Sequence, residues 1–338
     1  MKKSMIAAVT ALLMLTSTTI NAEEKSGDKE KVSLIPRVTG MINLRYSYDE
    51  SRKDEQGFDV RRVRLGMRGN LHEKLDYVMQ AEYAGNVRLL DAYLRWKIAP
   101  EFNVQVGQFK VHYSMETLGG PANWLTAESP TAVSKLNGYS DLSGLASHKN
   151  GRDIGLMFYG GLIHKELFDV LRYRIGVFNG NGYNLKDNNR KKDVAGMLWI
   201  NPVRQFSITG SYYYGTYGPR NDDHVRNRAS AGIEWRDNKL AVRSEYLWGN
   251  TAGQHSHGAY AQVAYTVCQM VQPVVSYDFF KQDESVEAYQ HNMQVGLNIT
   301  PVKYVRIQAS YIHTLNKGSQ NANPKHNNLA EVQVVATY

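Results

Sequence analysis

The densest concentration of chemically useful side chains is the run Arg61-Arg62-Val63-Arg64, followed by Arg68. Guanidinium is permanently charged and forks onto phosphate or carboxylate oxygens, so such a run is suited to handling anions. Val63, Leu65 and Met67 alternate with Arg62, Arg64, Gly66 and Arg68. Period two is a strand pattern, and it sets Arg62, Arg64 and Arg68 on one line, with a rise of ~7 Å for every two residues. Motifs for bond-breaking chemistry are missing: there is no Walker A pattern, no HExxH and no GxSxG. The nearest approach to a hydrolytic or metal-binding group is His255-Ser256-His257. It reads as part of a polar loop, and a metal there would need a third ligand. Cys268 is the single cysteine, so the chain has neither an internal disulfide framework nor a Cys-based zinc cluster.

The elements that must carry the arginines are strands throughout. From residue 36 onward apolar and polar residues alternate, as in Leu75, Tyr77, Met79, Ala81 and Tyr83 against Asp76, Val78, Gln80 and Glu82. Leu90, Ala92, Leu94 and Trp96 alternate in the same way with Asp91, Tyr93, Arg95 and Lys97. The runs are about 9–13 residues, longer than strands of a soluble sandwich and long enough to cross a bilayer at a tilt. Many begin or end in aromatics, among them Tyr46, Tyr48, Trp96, Trp199, Tyr212 to Tyr214, Trp235, Trp248 and Tyr311. Amphipathic rings at strand ends form membrane–water girdles, which accounts for 22 tyrosines against 9 phenylalanines. Connections alternate between short turns and mostly longer polar loops, the pattern of outer-membrane barrels. The reading is an all-β, transmembrane antiparallel β-barrel over residues 36–338, of about sixteen strands, wide enough to hold an aqueous lumen. Mean hydropathy of −0.46 excludes a polytopic helical membrane protein. No repeat of propeller length is present, and 338 residues leave no room for a plug and 22 strands.

Residues 1–22 read as a signal peptide, with Lys2 and Lys3 ahead of an apolar run from Met5 to Leu15. Residues 23–35 are a charged, aperiodic periplasmic segment. The destination is the bacterial outer membrane and its lipid.

Parity with the apolar residues lists the inner face. It carries Arg37, Arg45, Arg62, Arg64, Arg68, Arg95, Lys97, Arg172, Arg174, Arg226, Arg228, Arg243 and Arg306, against Asp76, Glu82, Asp91, Asp153, Glu234, Glu245, Asp278 and Glu331. Bases outnumber acids, and rings of arginine or lysine select anions in pores. The residues expected to line the pore and bind anions are Arg45, Arg62, Arg64, Arg68, Arg95, Arg174, Arg228 and Arg243. The longest connection, His112 to Gly151, is expected to form a constriction through Glu116, Trp124, Lys135 and Tyr139, or else to lie over the barrel mouth. Two other readings stay open. Pairing of Asp91, Glu82 and Glu245 with the arginines would leave a general, weakly selective pore, and a plugged lumen would leave a scaffold or adhesin. Strict alternation with an apolar face accounts for the basic residues without nucleic acid, and no cofactor is implied.

The stretches GFDVRRVRLGMRGNL (57–71), LLDAYLRWKIAPEFNVQVGQFKVHYSMETL (89–118), GRDIGLMFYG (151–160) and YRIGVFNGNG (173–182) resemble the phosphate-selective porin O and P family. The resemblance implies a sixteen-stranded outer-membrane porin, usually trimeric, in which an arginine ladder leads anions to a constriction. Arg62 and Arg64 are then the ladder candidates, and Arg152 and Asp153 mark re-entry into the barrel after the third loop. His112 and Tyr113 stand where the family pattern has Pro-Phe. No dense lysine cluster is present, the nearest being Lys191 and Lys192 beside Arg190. The expected function is passive diffusion with anion preference, for small anions or small hydrophilic solutes, with phosphate as the solute named by the resemblance.

Overall fold

A computed structural model describes residues 35–52, 56–137, 141–143, 151–318 and 325–338. These belong to one compact unit, Ser33–Tyr338. The segment read as a signal peptide, most of the charged segment after it, and Tyr139 lie outside the described residues.

The strands run in order β1 (Arg37–Asp49), β2 (Gly57–His72), β3 (Leu75–Glu82), β4 (Arg88–Ala99), β5 (Phe102–Lys110), β6 (Arg152–Lys165), β7 (Phe168–Phe178), β8 (Asp193–Val203), β9 (Phe206–Tyr214), β10 (Thr216–Tyr217), β11 (His224–Arg236), β12 (Leu240–Thr251), β13 (Gln254–Tyr265), β14 (Val271–Lys281), β15 (Tyr289–Val302), β16 (Val305–Lys317) and β17 (His326–Thr337). All but β9 and β10, which do not pair with each other, pair antiparallel with their sequence neighbours, and β1 pairs with β17, from Met41 opposite Thr337 to Asp49 opposite Leu329. That pairing closes the sheet, so no edge is left to meet lipid. β10 is a two-residue extension bonded to β11 alone, while β9 pairs directly with β11. The barrel therefore has sixteen strands.

Alternation sets the two faces. On β1, Ile42, Leu44, Tyr46 and Tyr48 are exposed while Met41 and Asn43 are buried. Pro202 and Pro301 sit where the β8–β9 and β15–β16 registers break, after Ile200 and Ile299, so their missing N–H groups cost the ladder nothing. In the turn after β11 the Asp237 carboxylate accepts from the backbone N–H groups of Leu240 and Lys239, at 2.8 Å each, and these bonds hold its pKa below the usual carboxylate range.

Two bulges change what parity expects. Between β1 and β2, Asn43 pairs with Arg62 but Leu44 pairs with Val60, so Arg61 is an extra residue. Its guanidinium then reaches Glu128 at 2.6 Å and Gln333 at 2.9 Å, joining the side that parity had given to Arg62, Arg64 and Arg68. Between β3 and β4, Gln80 pairs with Asp91 and Ala81 with Leu89, so Leu90 is the extra residue and is fully buried instead of facing outward. Trp199 is a further difference. It alternates with the exposed Leu198 and Ile200, so it lies on the inner face and not in a girdle. Tyr213 likewise is buried between exposed Tyr212 and Tyr214. His255-Ser256-His257 is the start of β13, because β12 and β13 are joined by Ala252 and Gly253 alone. Ser256 is buried and His255 exposed, so the three side chains do not converge.

Candidate functional site

The site is built where the connection after β5 meets the inner face. It carries two short helices, Met115–Leu118 and Thr131–Asn137, with a 3-10 turn at Pro121–Asn123 between them. Three glycines make room for it. A Cβ on Gly232 (β11) would stand 2.5 Å from the Met115 methyl, one on Gly249 (β12) 2.6 Å from Leu136 Cδ2, and one on Gly258 (β13) 2.7 Å from Ala132 Cβ. Around this bed, Val111, Tyr113, Ala132, Val133 and Leu136 pack with Leu247, Tyr260, Phe280, Phe109, Met157 and Phe178 into the largest apolar cluster. Gly151, with φ of +59°, accepts the Val111 N–H at 2.8 Å and brings the two ends of the connection together.

Polar anchors fix the rest of the segment. Glu245 accepts from Ser114 Oγ (2.7 Å), the Met115 N–H (3.1 Å), Ser230 Oγ (2.9 Å) and the Tyr260 hydroxyl (3.1 Å). It therefore holds the connection and, among the described residues, pairs with no arginine, unlike Asp91 and Glu82, which do so as the general-pore alternative had all three doing. Glu116 bonds the Arg243 guanidinium. Glu128 bonds Arg45 at 3.0 Å and Arg61 at 2.6 Å. Trp124 lies under the Arg62 guanidinium, 5.3 Å from ring centroid to carbon, and its indole N–H donates to the Glu116 carbonyl at 3.2 Å. Backbone carbonyls of Ala122 and Leu125 accept from Arg306 (3.1 Å) and Asn298 (3.0 Å). Asn298 also ends a belt of buried amides running through Gln308 and Gln333 to Asn43, at 2.9, 2.6 and 3.0 Å. Inspection of charged residues alone passes over this neutral belt. Lys135 is half-buried on its helix.

Of the expected arginines, Arg64 is paired with Glu82 at 2.8 Å, Arg95 with Asp76 at 2.7 Å, and Arg45 with Asp59 at 2.5 Å as well as Glu128. Arg152 forks onto Asp91, both bonds at 2.9 Å. Arg68 is exposed at the β2 end near Arg37, its pairing partner on β1. Arg228 is fully buried and donates to the carbonyls of Leu136, Asn227 and Asn250, each at 3.0 Å, so it props the Thr131–Asn137 helix. Arg243 adds Glu234 at 2.5 Å to its Glu116 contact.

Beside the connection lies a cavity of ≈ 920 Å³. Seven cationic side chains line it (Arg64, Arg95, Lys110, Arg152, Arg172, Arg174 and Arg243) against three acids, Asp91, Asp169 and Glu234. Among the described residues, Lys110, Arg172 and Arg174 have no carboxylate partner. Lys110 donates to the carbonyls of Thr117 (2.6 Å) and Gly119 (2.8 Å), so it ties the end of β5 to the first short helix. Arg174 contacts His112 Nε2 and lies over Tyr159, at 5.4 Å, and Trp199, at 5.8 Å; Arg172 lies over Trp199 at 5.5 Å. His112 is held well below its ordinary pKa by burial and by the neighbouring charges of Arg174 and Lys110, so at neutral pH it is an uncharged acceptor.

The sequence profile of the phosphate-selective porin O and P family matches residues 39–238. The chain belongs to that family. The closed sixteen-stranded barrel agrees with it, and together they identify an outer-membrane porin channel. No curated protein sequence matches the chain. Among solved structures, it is similar to the anion-selective porin from Comamonas acidovorans, at 12% identity and a TM-score of 0.68, over 90% of this chain and 99% of the other. It is also similar to a trimer form of OmpT of Vibrio cholerae, at 12% identity and 0.64, over 90% and 99%. A third is OmpF of Salmonella typhi in complex with daunomycin, at 13% and 0.65, over 90% and 97%. At such identities the likeness is one of fold.

Proposed function

We propose that this porin is a passive diffusion channel with anion preference, that it works as a homotrimer in outer-membrane lipid after removal of residues 1–22, and that residues 112–151 narrow the lumen from within. The single observation that carries the preference is the lining of the cavity, where arginines exceed acids and Arg172 and Arg174 keep their charges with no carboxylate partner among the described residues. A fixed cation in a low-dielectric wall raises the local anion concentration and replaces part of the hydration shell of a passing anion. The internal constriction is supported by bonds from residues 113–131 to nine wall strands, β1, β2 and β11 to β16 among them, such as Gln262 to Thr126 at 3.0 Å and Asn292 to Thr131 at 2.6 Å. The test is the reversal potential of the purified protein under a KCl gradient.

A weakly selective general pore is the second reading, favoured by one observation: Arg45, Arg64, Arg95, Arg152 and Arg243 are all compensated by acids. It predicts a reversal potential near zero. Phosphate specificity is a separate question. Phosphate offers oxygens to several guanidiniums at once, so it should block chloride current through a multi-arginine site at low concentration.

A further inference from the structure

Arg172 and Arg174, two arginines of the cavity lining, share a wall with aromatic rings. Arg172 and Arg174 stand two residues apart on β7, so their backbones are about 7 Å apart on one face. Trp199 on the neighbouring β8 contacts both guanidiniums, and Tyr159 on β6 contacts Arg174. Tyr93 joins them in the cavity lining. The three acids of that lining are committed elsewhere. Asp91 holds Arg152 at 2.9 Å, Glu234 holds Arg243 at 2.5 Å, and Asp169 holds His164 at 2.7 Å. Two planar cations backed by rings thus face open volume with no carboxylate partner among the described residues.

We propose that this wall is a solute subsite for aryl carboxylates, organic anions with a flat apolar body. The inference rests on the anion-channel reading above and names the solute class that the same lumen retains best. An inorganic anion can use the guanidinium charge only. An aryl carboxylate places its two oxygens on a guanidinium fork and its ring against a guanidinium plane or an aromatic edge. The rings already held against Arg172 and Arg174 fix those planes, so little side-chain freedom is lost when a solute arrives.

The experiment is block of chloride current through the purified full-length protein in a planar bilayer at constant pH, with sodium benzoate, sodium acetate and inorganic phosphate titrated separately. Half-block by benzoate is expected at about a tenfold lower concentration than by acetate, and lower than by phosphate. Arg172→Gln with Arg174→Gln should weaken benzoate block at least tenfold. Trp199→Leu should bring benzoate to within about twofold of acetate, and Arg174→Lys, which keeps the charge and removes the plane, should also reduce the benzoate advantage. Each variant is first shown to be a heat-modifiable, folded barrel. Equal block by benzoate and acetate, stronger block by phosphate, or a benzoate advantage that survives in the double variant would overturn the subsite while leaving an anion channel intact. Absence of any stepwise conductance would remove the channel reading and the subsite with it.

Discussion

The carboxylate of Glu116 bonds the guanidinium of Arg243, joining the connection after β5 to the inner face of β12. Both side chains are buried, and Arg243 keeps a second carboxylate, Glu234, at 2.5 Å. Glu116→Gln therefore removes one charge-assisted bond without stranding the arginine. The expected loss of stability is about 1–3 kcal/mol, read as a lower denaturation midpoint of the folded barrel. Single-channel conductance should rise in the same variant as the connection loosens.

The glycine bed gives a sharper test of the seat. A side chain at Gly249 meets Leu136 Cδ2 at 2.6 Å, and Arg228 Cδ and Ser256 Oγ at 3.2 Å. Gly249→Val is expected to cost about 1–3 kcal/mol through overpacking and to displace the Thr131–Asn137 helix from the wall. Conductance should increase while heat-modifiability is retained. Unchanged conductance in a folded variant would place the constriction elsewhere.

Compensation of the ladder residues sets their rank. Arg64 is paired with Glu82, and Arg68 sits exposed at the end of β2. Neutralising Arg62, Arg64 and Arg68 together should lower anion preference less than neutralising Arg172 and Arg174, since a paired or screened charge contributes little field. Reversal potentials of the two variants under one KCl gradient compare them directly.

The fold was legible in the sequence because a transmembrane barrel writes period two across nearly its whole length, and lipid enforces that period by exposing one face. The inner face was legible by the same parity for Arg62, Arg64, Arg95 and Arg243. It failed at Arg61 and Leu90, where an inserted residue shifts the register by one and turns a side chain over. It failed differently at Trp199, where residue type suggested an interfacial girdle although its alternation with Leu198 and Ile200 already pointed inward. The partners of each arginine were not legible at all. Glu116 and Glu128 reach the wall only because the connection after β5 packs on Gly232, Gly249 and Gly258, and that packing depends on contacts more than a hundred residues apart in the chain. Inward-facing Leu247 and Tyr260 were the signal for it, since apolar residues on a polar face need something to cover them.

His112 gives the pH dependence a definite sign. An unfolded imidazole takes up a proton near its ordinary value of about 6.5, whereas His112 beside Arg174 and Lys110 stays neutral well below that. Acidification through 6.5 therefore favours the unfolded chain, and stability present above this pH is lost as pH falls toward the depressed value. His112→Gln should show a smaller fall in denaturation midpoint between pH 7.5 and 5.5, a range chosen about the ordinary histidine value. The reversal potential should change equally in wild type and variant over that range, because no new cation forms at this position.

The most direct test of the central claim is the zero-current potential of single channels in a planar bilayer under a tenfold KCl gradient, with the wild-type protein compared with Arg172→Gln/Arg174→Gln. The account predicts an anion-directed potential in the wild type that moves toward zero in the double variant while the barrel stays folded. A potential near zero in the wild type, or an anion-directed one that the double variant leaves unchanged, would contradict it.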